Sequence, residues 1–213
     1  MMIRKALLYK IAGFILPAFY RWVYKCEIRG MENIPPSGRV ILASSHVDAR
    51  DPLFLGAGCT RQIHFMAKDS LFKNKFIGAI LRYAGAFPVE RGTGDTDALS
   101  EAYKLLEEER VLGVFLEGTR SKDGNLLRPK TGVSLLAYKT KAVVVPVSII
   151  AAGGTCPMRF KQKMMVNIGK PISFEELNIP EESSMYFRRA AKFIMERISV
   201  LRAEAISLME EET

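Results

Sequence analysis

The chain has 213 residues, of which 48% are hydrophobic, and this suits one globular domain with a sizeable core. Lys and Arg outnumber Asp and Glu by 31 to 23, which predicts attraction to an anionic partner such as a lipid headgroup, a nucleic acid or a phosphorylated substrate. The 3 cysteines are widely spaced and show no CxxC pair, which argues against a disulfide framework or a zinc site and indicates a reducing compartment.

The first 25 residues form a basic and apolar segment. An apolar run at residues 11–20 has basic residues on both sides and no small-residue cleavage site after it, which argues against a cleaved signal peptide. It is also shorter than the roughly 20 apolar residues that a membrane span needs. Residues 1–25 therefore predict a helical segment lying in the membrane interface, kinked at Pro17. An amphipathic helix packed on the domain is the alternative.

Residues 26–213 alternate between strand and helix patterns and are predicted to form one domain. The predicted strands are residues 26–29, 39–44, 62–66, 86–89, 112–116, 142–150 and 164–168. The predicted helices are one that begins near Pro52, then residues 71–83, 96–110, 132–139 and 184–209. The helix at 96–110 should present Leu99, Tyr103 and Leu106 on one face. This alternation predicts an α/β layered fold, with a central largely parallel or mixed sheet flanked by helices.

The segment from Ser45 to Pro52 lies between a predicted buried strand and a predicted helix, where sites form at the carboxyl edge of α/β sheets. His46 and Asp51 can meet only if the intervening residues form a loop, because five residues overshoot one helical turn. Asp51 would then hold one imidazole nitrogen and leave the other free as a base. Spacing alone favours the simpler alternative, in which His46 is an ordinary loop histidine and Asp51 a helix N-cap.

A second segment, Glu117-Gly118-Thr119-Arg120-Ser121, also follows an apolar strand. Gly118 permits close approach of the backbone to a ligand, Thr119 offers a hydroxyl, and the planar guanidinium of Arg120 suits a phosphate. A solvated turn would have a similar composition. Between the two segments, Arg91 follows a predicted strand and is either a second phosphate-binding cation or an ordinary surface cation.

Taken in order, four motifs resemble the 1-acylglycerol-3-phosphate acyltransferase (PlsC-type) family. They are HxxxxD at His46 and Asp51, the strand at 87–91 that ends in Arg91, the EGTRS run at 117–121, and VPVSI at 145–149. The resemblance covers residues 27–169. Two positions depart from the family pattern: Ser45 replaces the common asparagine before the histidine, and Leu116 replaces the common proline before the glutamate.

The resemblance implies that fatty acyl transfer occurs from acyl-CoA or acyl-carrier protein, as co-substrate, to the sn-2 hydroxyl of 1-acylglycerol-3-phosphate, giving phosphatidate. His46 and Asp51 would be the catalytic residues, and Arg91, Glu117, Gly118, Thr119 and Arg120 would bind the acceptor. No cofactor and no metal is expected. The chain has no GxSxG motif, so a covalent acyl-enzyme lacks a candidate nucleophile.

The expected partners are an anionic membrane surface, a lysophospholipid acceptor and the acyl carrier, at the cytoplasmic face of the membrane as a peripheral or monotopic protein. Alternatives are an acyltransferase for glycerol-3-phosphate or another lysolipid, a thioesterase, and a non-catalytic module that binds anionic membranes. A thioesterase would leave the arginines without a task. No nucleic acid is expected, because no recognised binding motif accompanies the basic charge.

Overall fold

The computed structural model describes residues 23–57, 59–89, 96–154 and 161–211. Its strands are β1 Glu27–Arg29, β2 Val40–Ser44, β3 Ile63–Lys68, β4 Ala86–Val89, β5 Val111–Phe115, β6 Val143–Ala151 and β7 Met164–Ile168. Its α-helices are α1 Asp51–Ala57, α2 Lys75–Tyr83, α3 Thr96–Glu107, α4 Gly132–Thr140 and α5 Ser184–Glu211. Short 3-10 turns cover Met31–Asn33, Asp69–Phe72 and Ala152–Gly154.

The strands of this part of the chain form one sheet in the order β1-β7-β6-β2-β5-β3-β4. The strands from β6 across to β4 are parallel to one another, while β7 is antiparallel to β6 and β1 is parallel to β7. Helices connect the parallel strands, because a parallel pair cannot be joined by a tight hairpin. The predicted α/β fold with a largely parallel or mixed sheet is therefore confirmed.

Helices cover both faces of the sheet. On one face, α1 buries Phe54 and Leu55 against the central strands. The crossover through α2 runs in the same direction across the sheet as the crossover through α1, so right-handed connections place both helices on this face. On the other face, α3, α4 and α5 bury Leu106, Leu136 and Ile194. The sheet is thus the middle layer of the domain.

Strand β2 lies at the centre of the sheet and is buried along its whole length. It pairs in parallel with β6 on one side and β5 on the other, and Ser44 at its end faces Phe115 at the end of β5. A strand with both faces covered reads as a continuous apolar run, as it does here. The residues that follow β2 and β5 therefore emerge side by side at the carboxyl edge of the sheet.

Two predictions about helices were wrong in detail. The segment predicted as one helix at 71–83 is a 3-10 turn followed by α2, because the Asn74 side chain accepts hydrogen bonds from the Phe76 and Ile77 N–H groups and starts a new helix there. In α3, Tyr103 is 38% exposed while Ala102 is fully buried. The face of α3 that packs on the sheet is centred on Ala102, and the larger Tyr103 lies at its rim.

Residues 1–22 lie outside the described residues, so the interfacial helix predicted there stays a prediction, as does the division of the chain at residue 25. Val23 and Tyr24 are buried in the core on the face that carries α1. No helix among the described residues is both long enough and apolar enough to cross a membrane.

Candidate active site

His46 lies in a loop that leaves the carboxyl end of β2. Hydrogen bonds tie this loop to the chain that leaves β5: the Leu116 N–H donates to the Ser44 carbonyl at 2.9 Å, and the Ser121 N–H donates to the His46 carbonyl at 2.8 Å. The two segments that the sequence analysis selected are therefore neighbours in the fold. The pairing follows from the parallel register of β2 with β5.

Asp51 binds the His46 side chain directly. The Asp51 Oδ2 atom lies 2.8 Å from His46 Nδ1, and it also accepts the Val47 and Asp48 backbone N–H groups at 2.7 Å and 2.9 Å. The Asp51 side chain is fully buried, while that of His46 is 13% exposed. A carboxylate at Nδ1 selects the tautomer that carries its proton there, which leaves Nε2 with a free lone pair on the exposed side.

Asp51 is not an N-cap, although α1 begins with it. An N-cap side chain accepts from the first turn of the helix that follows it, whereas the Asp51 carboxylate accepts from residues that precede it. The alternative that spacing alone favoured is therefore wrong for Asp51. The loop between His46 and Asp51 is held further by Arg50, whose guanidinium pairs with Asp48 at 2.7 Å and donates to the Tyr24 hydroxyl at 3.1 Å.

An aromatic stack supports the His46 ring. The Phe115 ring lies parallel to it, with ring centroids 4.0 Å apart and an interplanar angle of 16°. The Phe65 ring stacks in turn on Phe115 at 6.4 Å. Gly113 makes room for this arrangement, because a Cβ atom there would stand 2.2 Å from the Phe65 ring. The sequence analysis missed this support, although Gly113 and Phe115 share one face of β5 by strand alternation.

Glu117 is turned into the protein and is only 2% exposed. Its Oε1 atom accepts the Leu127 backbone N–H at 3.2 Å, which anchors the loop that returns from residue 117 to α4. Burial raises the pKa of Glu117 above its ordinary value, and the hydrogen bonds from the Leu127 and His46 backbones oppose that rise. The Glu117 side chain is therefore buried beneath the loop that starts at residue 117. Its predicted contact with the acceptor stays a prediction.

The three residues after Glu117 are exposed at the same edge of the sheet. Gly118 has a φ of 69°, a conformation that favours glycine, and its N–H donates to the Phe115 carbonyl at 3.1 Å. Thr119 and Arg120 are exposed. The side-chain carbons of Lys130 lie beside Gly118, and Lys130 Cγ is 3.5 Å from the position that a Cβ atom on residue 118 would occupy. Arg91 lies outside the described residues, so its predicted role stays a prediction.

The other histidine, His64, is at the opposite end of the sheet. It pairs with Leu112 near the start of β5, whereas the candidate site begins after Phe115 at the end of that strand. Three residues of strand correspond to about 10 Å, so His64 cannot share the site of His46. Across the part of the chain that the structure describes, no cluster of His, Cys, Asp and Glu side chains could hold a metal ion.

Comparison with known proteins decides the family of this chain. Residues 25–150, more than half of the chain, match the family model described as Acyltransferase. The chain belongs to the acyltransferase family. The 1-acyl-sn-glycerol-3-phosphate acyltransferase of Bacillus subtilis (strain 168) is 34% identical to this acyltransferase over 147 residues, which are 68% of this chain and 73% of that protein.

Two further relatives extend the comparison. The 1-acyl-sn-glycerol-3-phosphate acyltransferase of Borreliella burgdorferi is 33% identical over 127 residues, 59% of this acyltransferase and 51% of that protein. The chain thus spans about half the length of that relative. The crystal structure of the 1-acyl-sn-glycerophosphate (LPA) acyltransferase PlsC from Thermotoga maritima superposes with a TM-score of 0.69 and 25% identity, covering 89% of this chain and 78% of that one.

Proposed function

We propose that this acyltransferase transfers a fatty acyl group from a thioester to the sn-2 hydroxyl of 1-acylglycerol-3-phosphate and so produces phosphatidate. The observation that carries the proposal is the hydrogen bond between His46 Nδ1 and the buried Asp51 carboxylate, at the sheet edge where Arg120 is exposed. The named activity of the relatives supports the choice of acceptor. The donor is acyl-CoA or acyl-carrier protein, since both present the same thioester.

The reaction needs only a base and a place for two substrates. His46 Nε2 removes the proton from the acceptor hydroxyl while the oxygen attacks the thioester carbonyl carbon. The new ester bond forms, the carbon–sulfur bond breaks, and the departing thiolate takes the proton back from the imidazolium. Asp51 stabilises the positive charge on His46 during this step, and such a positioned base typically contributes about 10²–10⁴ in rate.

The acceptor is recognised through its phosphate. Arg120 is exposed, and a guanidinium forms charge-assisted, bidentate hydrogen bonds with phosphate. Gly118 exposes backbone beside it, and Thr119 adds a hydroxyl. Arg91 is the further cation that the family resemblance assigns to this phosphate. The loop that carries Arg120 is held to the His46 loop, which sets the distance between phosphate and reacting hydroxyl.

The test is an acyl transfer assay with purified full-length protein. 1-Acylglycerol-3-phosphate, glycerol-3-phosphate, a neutral lysolipid and water are compared as acceptors, each with acyl-CoA and with acyl-carrier protein. We expect phosphatidate as the main product, and its loss by about 10²-fold or more in His46→Ala with an unchanged fold. Full activity in His46→Ala would refute the mechanism, and release of free fatty acid alone would make the protein a thioesterase.

The proposed place of reaction is the cytoplasmic face of the membrane, with residues 1–25 as an interfacial anchor. The free, buried thiol of Cys59 is compatible with a reducing compartment. Deleting residues 1–22, which precede the described domain, should lower the fraction of protein bound to anionic vesicles, and rising salt should weaken binding of the intact chain. Equal binding by the truncated and intact proteins would refute the anchor.

A further inference from the structure

Helix α2 and the 3-10 turn before it expose an unusual number of large apolar side chains. Phe76 is 76% exposed, Ile80 53%, Leu71 47% and Ile77 45%. We call these four side chains the apolar patch. A single exposed apolar residue needs no explanation, but several on one short element indicate a surface that is covered by something else.

The remaining contacts of α2 show why these side chains point outward. Gly78 is buried, and a Cβ atom there would stand 2.9 Å from the Phe72 carbonyl oxygen, so the helix lies against the 3-10 turn through this glycine. Leu81 is half-buried on the same side. Ile80 lies one helical turn from both Phe76 (i+4) and Ile77 (i+3), so these three side chains share the opposite side. The helix is therefore amphipathic with its larger apolar face turned away from the domain.

The segment that carries the apolar patch is basic. Residues 68–83 contain Lys68, Lys73, Lys75 and Arg82, all exposed, against one acidic residue, Asp69. Asp69 pairs with Lys73 only at 3.9 Å, and the Lys73 side chain is 78% exposed. A helix that combines an exposed apolar face with net basic charge is suited to the surface of an anionic bilayer.

The apolar patch also begins at the edge of the sheet that carries the candidate active site. The 3-10 turn follows Lys68, the last residue of β3, and β3 is separated from β2 by β5 alone. Two strand spacings correspond to about 10 Å, so the turn leaves the sheet close to the loop of His46. Helix α2 then runs back along the face that also carries α1 and the buried Tyr24.

We propose that the apolar patch is a membrane-docking surface, with Phe76, Ile77 and Ile80 inserted among the lipids of an anionic bilayer and the basic side chains of residues 68–83 on their headgroups. The charge of residues 68–83 favours an anionic bilayer over a second copy of the chain, because two copies would bring two basic segments together. Docking here would hold the edge that carries His46 at the lipid surface. That consequence rests on the proposed function, whereas the docking itself does not.

A tryptophan placed in the apolar patch tests insertion directly. The chain has 1 Trp, Trp22, so Phe76→Trp is combined with Trp22→Phe in the full-length protein. We expect red, water-exposed emission without vesicles, and a blue shift with quenching on vesicles that contain phosphatidylglycerol and brominated lipid. The matched control places the tryptophan at Val200, which is 54% exposed on α5, and should show neither change.

Two outcomes of that experiment would overturn the proposal. Emission from position 76 that is already blue without vesicles would show that another part of the chain or a second copy covers the apolar patch. Emission that stays red on vesicles to which the protein is bound would show that docking occurs elsewhere.

Vesicle sedimentation measures the contribution of the apolar patch to binding. The triple variant Phe76→Ser, Ile77→Ser and Ile80→Ser should partition to phosphatidylglycerol vesicles at least about tenfold more weakly than the wild type, because the buried apolar area is lost. The control Met185→Ser, Val200→Ser removes exposed apolar residues from α5 and should bind like the wild type. Equal binding by the triple variant and the control would contradict the proposal.

An activity measurement separates this inference from the proposed function. With a short-chain acceptor that stays monomeric in water, the triple variant should match the wild type. With the acceptor embedded in vesicles, it should be slower by the same factor as its loss of binding. Absence of acyl transfer by the wild type would refute the proposed function alone, since the tryptophan and sedimentation results would still decide where the protein docks.

Discussion

Replacing Asp51 with asparagine removes the negative charge behind His46 while it leaves an oxygen in position. The Asp51 Oδ2 atom accepts three N–H groups, from His46 Nδ1 and from the Val47 and Asp48 backbones. Both backbone groups can only donate, so they hold the amide oxygen of an asparagine toward them and toward His46. The tautomer of His46 should therefore survive in Asp51→Asn, and only the charge should be lost.

The magnitude follows from the change of a charged acceptor into a neutral one. Hydrogen bonds to charged groups contribute about 1.5–3 kcal/mol and neutral ones about 0.5–1.5 kcal/mol, a difference of roughly 1–1.5 kcal/mol. This corresponds to about a tenfold lower kcat in Asp51→Asn. In Asp51→Ala both orientation and charge are lost, and the decrease should approach the roughly 10²–10⁴ of a missing base.

Asparagine should also cost stability. Asp51 Oδ1 is buried and has no hydrogen-bond partner among the described residues, so the amide NH₂ that replaces it finds no acceptor. A buried donor without a partner costs about 1–3 kcal/mol of unfolding free energy. Urea unfolding measures this loss, and kcat is measured well below the unfolding midpoint so that the two effects stay separate.

The assay compares kcat and KM for the wild type, Asp51→Asn, Asp51→Ala and His46→Ala at saturating thioester. The expected order of kcat is wild type, then Asp51→Asn, then the two alanine variants, with KM for the acceptor little changed because Asp51 is buried behind His46. If Asp51→Asn were as inactive as Asp51→Ala, the oxygen would not be held as the structure indicates. Full activity of Asp51→Ala would reject the dyad altogether.

Three further predictions concern the surroundings of His46. Gly113→Ala should lower the unfolding free energy by about 1–3 kcal/mol and reduce kcat, because the new Cβ displaces the Phe65 ring. Gly56→Ala, with open space around it, is the control in urea unfolding. Equal unfolding free energies of the two variants would contradict the role of Gly113 in making room for the aromatic stack. The stability of Glu117→Gln relative to the wild type should increase as pH rises from 4.5 through the raised pKa of Glu117, because burial disfavours the ionised form of Glu117 in the folded state alone. A difference in unfolding free energy between the two proteins that does not change with pH in urea unfolding would contradict this. Arg120→Ala should raise KM for the phosphorylated acceptor more than for the acyl donor, and an equal effect on both would remove Arg120 from the phosphate site.

The strands of the sheet and the placement of both motifs at strand ends could be predicted from the sequence. The run from Val40 to Ser44 is apolar without alternation, which is the pattern of a strand covered on both faces. Helix boundaries were less accurate because they depend on single side chains. Asn74 divides the predicted helix at 71–83, because its side-chain oxygen accepts the Phe76 and Ile77 N–H groups, a local effect that apolar periodicity does not register.

The role of Asp51 could not be derived from spacing. Four residues separate it from His46, and the same sequence is compatible with an N-cap whose side chain faces forward into α1 or with a carboxylate that faces back toward His46. The backbone N–H groups of Val47 and Asp48 decide between the two, because they converge on Asp51 Oδ2 only when the loop is folded over α1. That loop conformation is set partly by the neighbouring Arg50, which pairs with Asp48, and partly by hydrogen bonds from the chain that follows β5. The segment after β5 is far from His46 along the sequence, so local spacing could not reveal its effect.

By itself the sequence indicated the class of the protein, because its four motifs in order resemble those of a known acyltransferase family, and its apolar pattern indicated an α/β sheet. Only the tertiary structure decided which groups support the base and which surface is left uncovered. Phe115 stacks on His46 because parallel register places the ends of β2 and β5 side by side. In sequence, the apolar residues of α2 have the pattern of a helix face that packs on the core. Only the packing of Gly78 against the 3-10 turn shows that this apolar face is turned outward.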